Sequence, residues 1–177
     1  MRKRVFYNPV IKDRATLLKS SEDTGGEYTL LKIEVAPGGG NSEHTHNSFS
    51  EKFRVVKGTL SVTLGRDVKL IRQGEAVTVD AKAVHCFKNE TADTVEFLVE
   101  FRPGQPGFEK AIAIAYGLAA DGLVDKDSAP KNLVHLSIVS TLAQSFPTGF
   151  LSILMPVFRF VASLAKRTEA ALTEKYC

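Results

Sequence analysis

Short runs of β-branched and aromatic residues, interrupted by Gly, Asp and Asn, dominate residues 4–101. Segments 28–35, 53–56, 59–64 and 95–101 each read as strands on this pattern. The last sets apolar Val95, Phe97, Val99 and Phe101 against Glu96 and Glu100, the period of a half-buried strand. Gly65-Arg66-Asp67 lies between two such runs and predicts a hairpin turn. Many short strands at regular spacing imply an all-β sandwich or barrel.

The texture changes after Pro103-Gly104-Gln105-Pro106-Gly107. Residues 108–120 are Ala-rich and predict a helix with Gly122 as its cap. Asp127-Ser128-Ala129-Pro130 reads as a second helix start leading into residues 132–145. Pro147 restarts the chain, and residues 150–175 predict a further helix, kinked or broken near Pro156. The expected organisation is a β domain over residues 1–103 and a helical extension over 104–177.

No Asp, Glu, Lys or Arg occurs in residues 132–158, a stretch long enough to raise a membrane span. Ser137, Ser140, Thr141, Gln144, Ser145 and Thr148 are polar and two prolines interrupt it, so amphipathic helices packed on the barrel or on a second subunit are expected instead. A face of Phe150, Leu154, Phe158 and Val161 could close a homodimer or cover the barrel mouth. Arg159, Lys166 and Arg167 beside these aromatics keep peripheral membrane contact as the lesser alternative.

Composition narrows the class. A 177-residue chain with 44% hydrophobic and 24% charged residues suits one globular domain with an appendage. Its 23 basic and 20 acidic residues leave a net charge of only +3, which does not point to nucleic acid. Two cysteines, Cys86 and Cys177, offer no disulfide framework. The basic start at Arg2, Lys3 and Arg4 runs into Val5-Phe6-Tyr7-Asn8-Pro9 rather than a continuous apolar core, so a secretory signal is not expected and the cytoplasm is the expected compartment.

Candidate chemistry concentrates in EHTHNSFSEKF, residues 43–53, which follows the flexible-looking run Pro37-Gly38-Gly39-Gly40. On a strand, His44 and His46 share a face and can converge on one ion, with metal–nitrogen bonds of about 2.0–2.2 Å. Glu51 could add an oxygen after a short turn. Alone, the stretch reads equally as a polar turn or as half of a metal site. A second stretch, residues 74–89, brings a strand, a turn and then His85 opening another strand.

Together these resemble the cupin family. Gly38, His44, His46, Glu51 and Gly58 resemble its first motif, and Gly74, His85 and Asn89 its second. The fifteen residues between Gly58 and Gly74 resemble the intermotif hairpin of small microbial cupins, and the likeness covers about residues 30–101. It implies a mainly β fold, a double-stranded β-helix or jelly roll, followed by the helical tail. It also implies that His44, His46, Glu51 and His85 hold one divalent transition metal. Imidazole and carboxylate donors admit Fe, Mn, Ni, Co or Zn without choosing among them.

One departure stands out: Asp80 and Lys82 occupy positions where the family usually has Pro and Gly. Lys does not readily take the positive φ that Gly allows there; Lys82 itself is expected at the surface. Cys86, next to His85, should point away from the site. Phe53, Phe87 and Asn89 are the expected pocket residues, with Asn89 also suited to fixing the turn. Either Leu31 and Ile33 or Tyr28, Leu30 and Lys32 face inward.

Three functions fit. The first is a metal-dependent oxygenase on a small apolar or aromatic molecule, with Glu51 as ligand and catalytic proton acceptor. The second is a metal-dependent isomerase, lyase or decarboxylase, for which no pocket base beyond the ligands is evident. The third is a non-enzymatic small-ligand-binding cupin.

Overall fold

A computed structural model describes residues 3–147 and 153–177. Ten strands precede the first α-helix: β1 (Val5–Asn8), β2 (Asp13–Lys19), β3 (Thr29–Val35), β4 (His44–His46), β5 (Ser50–Lys57), β6 (Thr59–Leu64), β7 (Asp67–Arg72), β8 (Ala76–Val79), β9 (His85–Lys88) and β10 (Val95–Arg102). After them come α1 (Pro106–Ala120), α2 (Leu133–Ala143), β11 (Ser145–Pro147), α3 (Met155–Leu164) and α4 (Lys166–Tyr176). The strands form two antiparallel sheets, ordered β1-β2-β3-β10-β5-β8 and β11-β4-β9-β6-β7. The result is a β-rich jelly roll followed by helices.

Strand alternation places the core between the sheets. Val95, Phe97, Val99 and Phe101 of β10 are all buried, as are Leu31, Ile33 and Val35 of β3. The choice between two inward faces on β3 is therefore settled for Leu31 and Ile33. Phe53 and Val55 of β5 join the same cluster. Gly65 and Arg66 make the two-residue connection between β6 and β7, where Leu64 pairs with Asp67.

The glycine run is not flexible. Gly38 N–H donates to the Asn89 carbonyl, Asn89 N–H donates to that of Gly39, and Gly40 N–H donates to that of Ile11. Gly40 has a φ of 154° and bridges Lys88. A Cβ there would collide with the Phe87 carbonyl oxygen and come within 2.9 Å of the Lys88 Cα. Close backbone approach, rather than mobility, is what demands glycine here. Lys82 does occupy a left-handed conformation, with φ 70°, and its side chain is exposed. Its amide donates to the His46 carbonyl at 2.6 Å, so this turn is tied to β4.

The helical region departs from expectation at three places. The second helix begins at Leu133, where the Asn132 side chain accepts from the amides of Val134 and His135. Asp127–Pro130 is instead a loop, closed by Asp125 Oδ1 accepting from Asp127 and Ala129 and by a Val124–Pro130 bridge. Residues 145–147 form a strand, β11, that pairs with β4. The third helical stretch is divided at Ala165 into α3 and α4. Of the expected face on it, Phe158 is buried and Leu154 and Val161 half-buried, while Phe150 lies outside the described residues. Among the described residues, no helix is long and apolar enough to cross a membrane.

Two buried polar contacts bind α1 to the barrel. Glu109 Oε1 accepts from the Ser21 amide at 2.6 Å and from the Thr29 hydroxyl at 2.8 Å. Tyr116 donates its phenolic O–H to Asp13 Oδ2 at 2.7 Å. Burial pushes the Asp13 carboxyl up to about 7, against the opposing effect of that hydrogen bond.

Both features give stability tests. Gly40→Ala should lower unfolding stability by roughly 2–4 kcal/mol, because the strain falls on two backbone segments that cannot swing away; a urea midpoint equal to the wild type would contradict this. For Asp13 the folded pKa lies above the unfolded one. Stability is thus complete below the unfolded value near 3.8 and is lost as pH rises towards about 7. Asp13→Asn should gain on the wild type by about 2–3 kcal/mol between pH 5 and pH 8. A gap that stays constant across that range would show that Asp13 does not titrate in this way.

Candidate metal centre and cavity

Three strands place four potential ligands together. β4 presents His44 and His46, β9 presents His85 directly opposite His44, and β5 of the facing sheet presents Glu51. One donor atom from each lies within 4.8 Å of every other, an arrangement that could hold a metal ion. His46, Glu51 and His85 are buried and His44 is half-buried. The ring centroids of His44 lie 4.8 Å from His46 and 4.3 Å from His85.

Backbone carbonyls orient two of the imidazoles. His44 Nδ1 lies 2.8 Å from the Ser42 carbonyl oxygen, and His85 Nδ1 lies 3.0 Å from that of Ala83. A carbonyl only accepts, so each Nδ1 carries the proton and each Nε2 is left with a lone pair for a metal. Glu51 Oε1 is 2.7 Å from His46 Nε2, and Oε2 is 3.4 Å from His85 Nε2. These approaches are not aligned as hydrogen bonds, and both Nε2 atoms are buried without a hydrogen-bond partner. Donor atoms converging this closely without pairing fit a cation between them.

The charges agree with that reading. Burial, reinforced by the neighbouring His46 and His85, pushes His44 down to about 4, so its ring is neutral at physiological pH. Burial alone would raise Glu51, but the adjoining His46 and His85 rings hold its carboxyl well below the usual range. The Glu51 carboxyl is therefore held as an anion beside the two imidazoles. His85 is raised despite its burial, because Glu51 faces it. A cation in the cluster would take the place of the proton that Glu51 draws onto His85.

Beside the cluster is a cavity of about 370 Å³. His44, Glu51, Phe53 and Phe87 line it, together with Leu31, Ile33, Val99 and Phe101 of the barrel. Asn89 is outside that lining. Its side chain donates to the carbonyls of Val35 and Asp93 and accepts from Thr91, so it fixes the turn after β9 rather than meeting a ligand. Cys86 is half-buried on the opposite face of β9 from His85 and is not part of the cluster.

The sequence left several contributors unnoticed. Phe49 stacks on His46 with centroids 4.4 Å apart, and Phe108 of α1 meets the same ring edge-on at 5.9 Å. Phe49 sits within the histidine stretch and could have been flagged by position; Phe108 carries no local signal. The helices also supply Tyr116, Leu136, Val139 and Phe158 to the cavity. β11 pairs Ser145 with His46 and Pro147 with His44, and Ser48 Oγ donates to Gln144 Oε1 at 2.6 Å. The tail therefore completes both the cavity and the sheet that carries the ligands.

Comparison with known proteins agrees with the architecture. The cupin domain family matches residues 31–101. Over 84 residues the chain is 36% identical to mannose-1-phosphate guanylyltransferase of Escherichia coli strain K12, covering 48% of this chain and 17% of that protein. It is 30% identical to the alginate biosynthesis protein AlgA of Pseudomonas syringae pv. tomato, again over 48% of this chain and 17% of that one. The chain thus spans only about a sixth of the length of these curated relatives. Among solved structures, a predicted oxalate decarboxylase from Thermotoga maritima superposes with a TM-score of 0.50 at 18% identity, over 51% of this chain and 80% of that one, a likeness of fold. With two antiparallel sheets, a His and Glu cluster between them and the family match over the same strands, this chain carries a cupin domain over residues 31–101.

Proposed function

We propose that this chain is a metal-dependent oxygenase acting on a small, largely apolar or aromatic molecule. The observation that carries the reading is the setting of the ligand cluster: His44 and Glu51 open on a cavity walled by Phe53, Phe87, Phe101, Phe108 and Phe158. Among the described residues, no Lys or Arg lines it. Phosphorylated or polycarboxylate substrates would find no fixed cation there apart from the metal, so the sugar-phosphate chemistry named for the guanylyltransferase relatives is not carried over. A divalent Fe, Mn, Ni, Co or Zn ion would supply Lewis acidity and, for the redox-active members, electron transfer. His44, His46, Glu51 and His85 would hold it. The apolar walls exclude water and orient the substrate body.

A second reading has a specific observation in its favour. Asp13, with its carboxyl pushed up to about 7 by burial, and Tyr116 line the same cavity. They offer the acid or base that an isomerase, lyase or decarboxylase needs and that the sequence does not reveal.

Elemental analysis of protein purified without added metal, followed by substrate screening with oxygen-uptake measurement, separates these readings. Near-stoichiometric iron or manganese with uptake is the expected result; zinc without uptake favours the second reading. His44→Ala and His85→Ala should each reduce metal content at least tenfold. Unchanged content in both variants would sink the ligand assignment.

A further inference from the structure

At the β1–β2 end of the cavity three buried polar residues meet: Asn8, Asp13 and Tyr116. Asn8 already makes three hydrogen bonds. Its Nδ2 donates to Ser128 Oγ at 2.8 Å, and its Oδ1 accepts from the amides of Val10 and Ile11. Tyr116 spends its proton on Asp13 Oδ2. Asp13 Oδ1 is left over: the residue is 1% exposed, and this oxygen has no hydrogen-bond partner. A buried carboxyl oxygen without a partner is costly, and Asp13 lines a cavity whose walls are mainly apolar.

We propose that Asp13 and Tyr116 form a binding site for the hydroxyl group of an apolar ligand in this cavity. A hydroxyl fits this pair better than other head groups for a chemical reason. It can donate to Asp13 when the carboxyl is ionised and accept from it when the carboxyl is protonated, whereas a carbonyl can only accept and an ammonium only donate. A carboxylate or phosphate would face an acid with no Lys or Arg among the described lining residues to offset it. The Tyr116 oxygen keeps its lone pairs and can take a hydroxyl proton as well. The pair is built from different elements than the metal cluster, β2 and α1 against β4, β5 and β9. The site therefore does not depend on the metal reading. Taken with the proposed function, it makes the substrate an apolar molecule carrying a hydroxyl in addition to the atoms it offers a metal.

The test uses the full chain stripped of metal by chelation, with 4-fluorophenol and fluorobenzene as probes followed by ¹⁹F NMR titration. The two differ by one hydroxyl. 4-Fluorophenol should bind at least tenfold more tightly. In the double variant D13L/Y116F, which removes both polar groups together so that neither is orphaned, the ratio should fall to about one. Equal binding of the two probes to the wild type, as expected if only water satisfies Asp13, overturns the proposal; so does a preference that survives in the double variant. Should the double variant not fold, ¹³C-tyrosine labelling of the unmodified protein serves in its place. The Tyr116 ring signal, assigned with Tyr116→Phe, should move on adding 4-fluorophenol and not fluorobenzene, and a signal that stays put with both refutes the site.

Discussion

The candidate centre depends on how a strand only three residues long is held. β4 consists of His44, Thr45 and His46, too short to fix its own register. It is secured on one side by the pairing of His44 with His85 on β9 and on the other by β11. The Lys82 amide adds a hydrogen bond to the His46 carbonyl from the turn before β9. Only with these constraints does the side-chain period of two deliver both imidazoles to the same point. Glu51, from the opposite sheet, then closes the cluster.

The same pairing makes the helical tail part of the site. β11 joins the ligand-bearing sheet, α1 brings Phe108 against His46, and α2 and α3 wall the cavity. Glu109 and Tyr116 hold α1 to β2, β3 and the connecting segment through buried hydrogen bonds. A barrel open at this end would leave the cluster in water, where a carboxylate and imidazoles interact weakly. Under the helices, the same groups shift strongly: His44 is kept neutral and Glu51 ionised. Burial and mutual proximity thus prepare the donor set that a divalent cation requires.

Some of this was legible along the chain because it depends on local periodicity. The alternation at Val95, Phe97, Val99 and Phe101 is a property of one strand, and its buried face follows from the pleat. The spacing of His44, His46, Glu51 and His85 was legible in another way, as a resemblance to the two cupin motifs. Other features have no local trace. The glycines at 38–40 look mobile until Phe87 and Lys88 are seen pressed against Gly40. Asn89 looks like a pocket residue until its bonds to Val35 and Asp93 are counted. Ser145-Phe146-Pro147 becomes a strand because β4 offers a free edge, not because its residues favour one.

By itself, then, the sequence determined the β-rich class, the strand faces of β5 and β10 and the helical character of the tail, each of which follows from side-chain period within a short segment. The four residues of the cluster were legible only through the resemblance of two separated stretches to the cupin motifs. The tertiary structure alone decided which face of β3 turns inward, how the tail is joined to the ligand strand and where the cavity ends. It alone brought Asp13 to Tyr116, 103 residues apart in the chain, and left one carboxyl oxygen facing no partner. Those outcomes come from the packing of distant elements, where burial and hydrogen-bond satisfaction are settled over the whole fold and no single segment carries the information.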